Sequence, residues 1–122
     1  MKLIVNADDF GMSTGVNYGI LECFKNGIVT STSMMVNTPG FEHGIELMKE
    51  NKLDVGIHFV LTIRSPLTNP IEIPSIVNEK GEFEHNIKRL DVADKNEIKL
   101  ELMMQLNKFM STGFTPSHID FH

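Results

Sequence analysis

Six side chains carry most of the chemistry this sequence could perform: Asp8, Asp9, His58, His118, Asp120 and His122. They fall in three short polar clusters, Asn6-Ala7-Asp8-Asp9-Phe10, Gly56-Ile57-His58-Phe59 and Ser117-His118-Ile119-Asp120-Phe121-His122, each ending a run that reads as a buried β-strand. Ligands of α/β sheets bind just beyond the carboxyl ends of parallel strands, so carboxylates and imidazoles placed there can converge on one point. Oxygen and nitrogen donors of this kind suit a divalent metal ion.

An ion held by one carboxylate and two imidazoles keeps open coordination positions. It can acidify a water and polarise a carbonyl, the two needs of amide hydrolysis, while a nearby carboxylate takes the proton. Adjacent strand residues point to opposite sides, so Asp8 and Asp9 are expected to divide the work as ligand and base, with the assignment open. A DD pair alone reads as a solvated turn or helix cap, and a lone strand histidine as a satisfied core residue. The apolar strand before the pair, and the shared strand-end location of His58 and His122, favour the functional reading.

Strand periodicity sets His118 and Asp120 on the same face as His122. Asp120 is thereby placed to orient a metal-bound imidazole, with packing deeper in a barrel as the competing role. Asn6, Gly11 and Thr62 border the same region, Gly11 also serving the backbone of the turn. His43 and His85 fall in a polar helix and a loop and are expected at the solvated surface.

The elements that must position these groups alternate between strand and helix. Residues 3–7 form a continuous apolar run suited to a strand covered on both faces. Ser13 or Thr14 can cap a helix over residues 14–26, with Ile20, Cys23 and Phe24 on its apolar stripe and Gly27 as the stop. Residues 28–36, rich in β-branched side chains and hydroxyls, predict a second strand broken by Asn37-Thr38-Pro39-Gly40, and a helix over 41–51 follows. Val55, Ile57, Phe59 and Leu61 alternate with Gly56, His58, Val60 and Thr62, a third strand with His58 opposite the large apolar residues.

Residues 63–93 show little periodicity and contain Pro66, Pro70 and Pro74; a connection this long is more often functional than idle, so a lid or substrate loop is expected. Ile98, Leu102, Leu106, Phe109 and Met110 then recur at helical spacing over residues 94–112, and Gly113 ends the run. Pro116 introduces a fourth strand. The pairs Met34-Met35 and Met103-Met104 are expected to fill core space.

The chain has 122 residues, 41% of them hydrophobic, enough for one core and one domain at most. A net charge of −5 without a Lys/Arg-rich run excludes the footprint of a nucleic-acid or anionic-membrane binder and suits a small neutral or cationic substrate. Cys23 is the only cysteine, so no disulfide or thiolate zinc site is available, and a buried thiol is expected. No apolar run reaches the roughly 18 residues of a membrane span, and the first residues lack a signal-peptide layout, so a cytoplasmic location is expected.

Four stretches together carry a resemblance: Ile4-Val5-Asn6-Ala7-Asp8-Asp9-Phe10-Gly11, Gly27-Ile28-Val29-Thr30-Ser31-Thr32-Ser33, Gly56-Ile57-His58-Phe59-Val60-Leu61-Thr62 and His118-Ile119-Asp120-Phe121-His122. In order and spacing across the whole chain they resemble the YdjC family of carbohydrate deacetylases, which includes chitooligosaccharide deacetylases. The resemblance implies an α/β, distorted TIM-barrel-like fold, of which four strand–helix units are present here. It also implies a divalent metal held by Asp9, His58 and His122, with Asp8 as the base. Mg2+ is the first expectation for that ion and Zn2+ the alternative.

The substrate implied is a small N-acetylglucosamine oligosaccharide, releasing acetate. Family members are about twice this length, and four units cannot close a barrel of eight, so an amino-terminal half of a longer protein is expected. Two other readings compete. Two histidines and one carboxylate also describe a non-haem iron oxygenase. A catalytically incomplete sugar-binding half-domain would expose sheet edges and favour pairing into a homodimer.

Overall fold

A computed structural model describes residues 1–122. Four parallel strands, β1 (Asn6–Phe10), β2 (Ser31–Met34), β3 (Val55–Phe59) and β4 (Ile119–Phe121), alternate with helices α1 (Thr14–Asn26), α2 (Phe41–Asn51) and α3 (Lys95–Met110). The spatial order is β1-β2-β3-β4, each strand beside its sequence neighbour. Sequential parallel order with a helix in every crossover is the arrangement of a barrel sheet.

The sheet is strongly rolled. β1 and β4 are three strand spacings apart, about 14 Å in a flat sheet. Nevertheless Asn6 Nδ2 on β1 lies 3.3 Å from Asp120 Oδ2 on β4, a distance that only curvature allows. The fold is α/β and part of a TIM-barrel-like architecture.

Phe10, Met34, Val36, Phe41, Ile45, Ile57 and Phe109 lie in the main core between sheet and helices. Ser13 caps α1 by accepting from the Val16 N–H, a contact worth about 1 kcal/mol. The buried stripe of α1 is Asn17, Ile20 and Leu21, with Phe24 half-buried, and Cys23 is exposed rather than a buried thiol. A polar residue opens the i, i+3, i+4, i+7 row, which displaces the register read from apolar residues alone. Gly27 ends the helix as expected, but its φ is −117°; glycine is needed because a Cβ would lie 2.7 Å from the Cys23 carbonyl oxygen.

The starts of two strands and the buried face of one helix differ from expectation. Regular β1 begins at Asn6, and Leu3 and Ile4 are 73% and 77% exposed instead of covered on both faces, because no element packs over them. β2 starts at Ser31, since the Val29 N–H still bonds the Cys23 carbonyl at the end of α1. In α3, Met110 is exposed and Ile98, Leu102 and Leu106 are half-buried, whereas Glu101 and Gln105 are fully buried beside Phe109. Met34 and Met35 fill the core, but Met103 and Met104 are exposed.

Burial of Glu101 and Gln105 is tolerated because their polar atoms are satisfied. Gln105 pairs both ways with the Val60 backbone, accepting from N–H at 3.0 Å and donating to the carbonyl at 2.7 Å. Glu101 accepts from the Leu67 and Thr68 N–H groups. Together they tie α3 to the end of β3 and to residues 63–93. That stretch contains two short 3-10 turns, Pro70–Glu72 and Ile87–Val92, around a second small core of Ile73, Ile76, Val77 and Phe83.

Candidate metal centre

β1 does not run straight into the site. Ala7 pairs with Thr32 but Phe10 pairs with Met34, so three steps on β1 oppose two on β2. This is a β-bulge, and it falls on Asp8 and Asp9. Asp9 takes a left-handed φ of +67°, a conformation that aspartate tolerates at a cost of roughly 1 kcal/mol or more. The expectation that adjacent strand residues send Asp8 and Asp9 to opposite sides is thereby corrected: the bulge turns both carboxylates toward His58.

β3 supplies His58, which is 2% exposed. In register with it on β4 stands Asp120, because parallel neighbours share a face at paired positions. Asp120 Oδ1 lies 2.6 Å from His58 Nδ1, and Ser33 Oγ on β2 lies 3.3 Å from the same nitrogen. The carboxylate can only accept, so Nδ1 carries the proton and donates it, and Nε2 presents a lone pair on the other side of the ring.

Asp9 Oδ1 sits on that other side, 3.4 Å from His58 Nε2 and 3.2 Å from His122 Nδ1. The two imidazole rings stand edge to face with centroids 5.6 Å apart. Donors about 2.1 Å from a common ion at tetrahedral or octahedral angles lie about 3.0–3.4 Å from one another. The two separations from Asp9 Oδ1 match that range and all three donor atoms lie within 4.8 Å of one another, so Asp9, His58 and His122 could hold a single divalent cation. A second trio, Asp8, His58 and Asp120, also lies close together, but there His58 Nδ1 is engaged in the hydrogen bond to Asp120 and offers no lone pair.

Asn6 joins the carboxylates around this centre. Its Nδ2 donates toward Asp8 Oδ1 at 2.8 Å, Ser33 Oγ at 3.1 Å and Asp120 Oδ2 at 3.3 Å. Three carboxylates, Asp8, Asp9 and Asp120, gather at this centre, a concentration of negative charge that a bound cation would offset.

Asp8, Asp9, Asn6, His58, Asp120 and His122 are thus brought together. His118 and Thr62 are not. His118 is on the expected face but two positions nearer the start of the strand, about 6.6 Å deeper. Its ring lies over Gly56, where an added Cβ would meet it at 2.5 Å, its Nδ1 pairs with Ser117 Oγ, and its Nε2 is buried without a partner. Thr62 is buried beyond the end of β3, outside the hydrogen-bonded cluster.

His85 is exposed as expected, but His43 is not a solvated surface residue. It is half-buried, its Nδ1 accepts from Asn17 Nδ2, and its ring packs against Tyr18. Ser33, Asn17 and Thr38 were not distinguishable from ordinary strand, helix and turn residues in the sequence. For Ser33 the one available signal was its place in a fully hydroxylated Ser31-Thr32-Ser33 run within a buried strand.

Comparison with known proteins agrees with this arrangement. A family model described as YdjC-like protein matches residues 2–122. Proteins called carbohydrate deacetylase from Geobacillus stearothermophilus and Brevibacillus brevis are 54% and 49% identical, over 98% and 100% of this chain but 48% and 49% of their own length. The crystal structure of a candidate cellobiose-phosphate cleavage protein from Enterococcus faecalis V583 superposes with a TM-score of 0.92 at 36% identity, over 98% of this chain and 47% of that one. The chain spans about half the length of the curated relatives it matches. Sequence and fold together therefore make this chain a member of the YdjC-like family.

Proposed function

We propose that the chain forms the metal-binding part of a carbohydrate N-deacetylase that hydrolyses the acetamide of short N-acetylglucosamine oligosaccharides. The observation that carries this reading is the convergence of Asp9 Oδ1, His58 Nε2 and His122 Nδ1 beyond the ends of parallel strands. The relatives named carbohydrate deacetylase support the same reading.

One divalent ion, Mg2+ first and Zn2+ as the alternative, would be held by Asp9, His58 and His122 and would supply Lewis acidity to the acetyl carbonyl and the attacking water. Asp8 is the base. Its Oδ1 is occupied by Asn6 and Ser33, so Oδ2 is free to take a proton. Water adds to the acetyl carbon, its proton passes to Asp8, and Asp8 returns that proton to the departing nitrogen as the C–N bond breaks. Acetate and a free amine result. Asp120 keeps the His58 ring in the tautomer that leaves Nε2 unprotonated.

The test is acetate release from di-N-acetylchitobiose by this chain and by the Geobacillus relative, each metal-stripped and reloaded with Mg2+ or Zn2+ without oxygen. Release that depends on the metal and is lost in Asp8→Asn supports the reading. Release by the longer relative alone favours a second reading, a sugar-binding half that lacks catalysis. That reading predicts a dimer on a sizing column, through pairing of sheet edges. Turnover that requires Fe2+ and oxygen would instead point to an oxygenase.

A further inference from the structure

Asp9 stands at the site with its backbone in the left-handed region, and the turn that follows it is bonded by residues outside every strand-end cluster. The turn after the bulge is pinned at each step. The Met12 N–H closes on the Asp9 carbonyl at 3.0 Å, and the Met35 N–H bonds the Phe10 carbonyl at 2.7 Å. Gly11, at φ +91°, gives its N–H to Asn17 Oδ1 at 2.6 Å and receives the Thr38 hydroxyl on its carbonyl at 2.7 Å.

Asn17 is 0% exposed on α1 and Thr38 is 7% exposed in the turn before α2. Asn17 also donates to the Gly40 carbonyl at 2.8 Å, clipping the turn after β1 to the turn after β2. The two turns touch so closely that a Cβ on Gly40 would lie 2.6 Å from the Gly11 carbonyl oxygen. A residue in a sparsely populated conformation persists only where its surroundings over-determine it, and these paired turns do so at Asp9.

We infer that Asn17 and Thr38 are positioning residues for the metal centre, acting through Gly11 to keep the Asp9 backbone left-handed and its carboxylate on His58 and His122. The inference rests on the metal reading above. A free turn would let Asp9 relax into the extended region, and its carboxylate would swing away from the two imidazoles.

Thr38→Val removes the hydroxyl at nearly constant shape, and Thr38→Ser keeps it. Three readouts decide the matter: the Asp9 amide-to-α-proton coupling, which reports φ, amide exchange at Gly11, both on the metal-free chain, and Zn2+ affinity by calorimetry with Zn2+ alone. In Thr38→Val the coupling should leave its left-handed value, Gly11 exchange should quicken, and Zn2+ should bind about tenfold more weakly, the usual scale for supporting groups around a metal. Thr38→Ser should restore all three. Asn17→Leu, which deletes the acceptor for the Gly11 N–H, should move them in the same direction as Thr38→Val.

Unchanged coupling and exchange in Thr38→Val overturn the inference, as does faster exchange with wild-type Zn2+ affinity. An unaltered chain that binds no Zn2+ would remove the metal reading itself, and the metal-free coupling and exchange would still decide whether the clamp exists.

Discussion

The hydrogen bond of 2.6 Å between His58 Nδ1 and Asp120 Oδ1 joins two strands and determines which imidazole nitrogen faces Asp9. Asp120 makes no hydrogen bond to Asp9 or His122, yet it orients the ring that would share an ion with both. Asp120→Asn keeps the shape but replaces a charged acceptor with a neutral one. Divalent-ion affinity should fall about tenfold, and further in Asp120→Ala, with the fold retained. Calorimetric titration alongside far-UV circular dichroism checks this, and unchanged affinity would remove the orienting role.

Binding of an ion to Asp9, His58 and His122 should also stabilise the chain. At a free concentration of about 100 times Kd the gain is about 2.7 kcal/mol. For a chain of this size that corresponds to a rise in Tm of roughly 10 °C. Thermal melts with Mg2+ or Zn2+ against chelator measure it, and the shift should vanish in His122→Ala.

Gly56 and His118 make a second strand-to-strand relationship. An alanine at Gly56 would place its Cβ 2.5 Å from the His118 ring, forcing β4 away from β3. Gly56→Ala should cost about 1–3 kcal/mol, as overpacking of a tight site does. The double change Gly56→Ala with His118→Ala should recover most of that loss in a urea titration. Additive losses would mean that the ring is not the obstacle.

Gln105 is fully buried on α3, and its two bonds satisfy both the N–H and the carbonyl of Val60 just past the end of β3. Gln105→Met preserves volume but leaves the Val60 N–H and carbonyl unpaired in the interior. A loss of about 2–3 kcal/mol is expected from two stranded backbone groups. Accelerated amide exchange at Val60 should accompany it; exchange at the wild-type rate would show that water or another group has replaced the glutamine.

Much of this was legible in the residues. The apolar runs before Asp8 and His58, Pro116 ahead of the alternating His118, Asp120 and His122, the helix cap at Ser13 and the break at residues 37–40 determined an alternating α/β chain with its polar groups at strand ends. Local periodicity carries that information because it reports which face each residue takes along its own element. The same periodicity placed Asp120 with His122, and it chose the side of β3 on which His58 lies.

It could not choose the depth of His118, the exposure of Cys23, or the burial of Glu101 and Gln105. Those depend on what packs opposite, which is a property of other parts of the chain. Nor could it bring Asp8 and Asp9 to one side. Alternation along a regular strand sends neighbours apart, and only the β1–β2 register mismatch, held by the paired turns at Gly11 and Gly40, reverses it. The residue types and their strand-end positions were set by the sequence alone, whereas their meeting at one point was decided by the bulge and by the roll of the sheet, because both arise from contacts between strands that are distant in sequence.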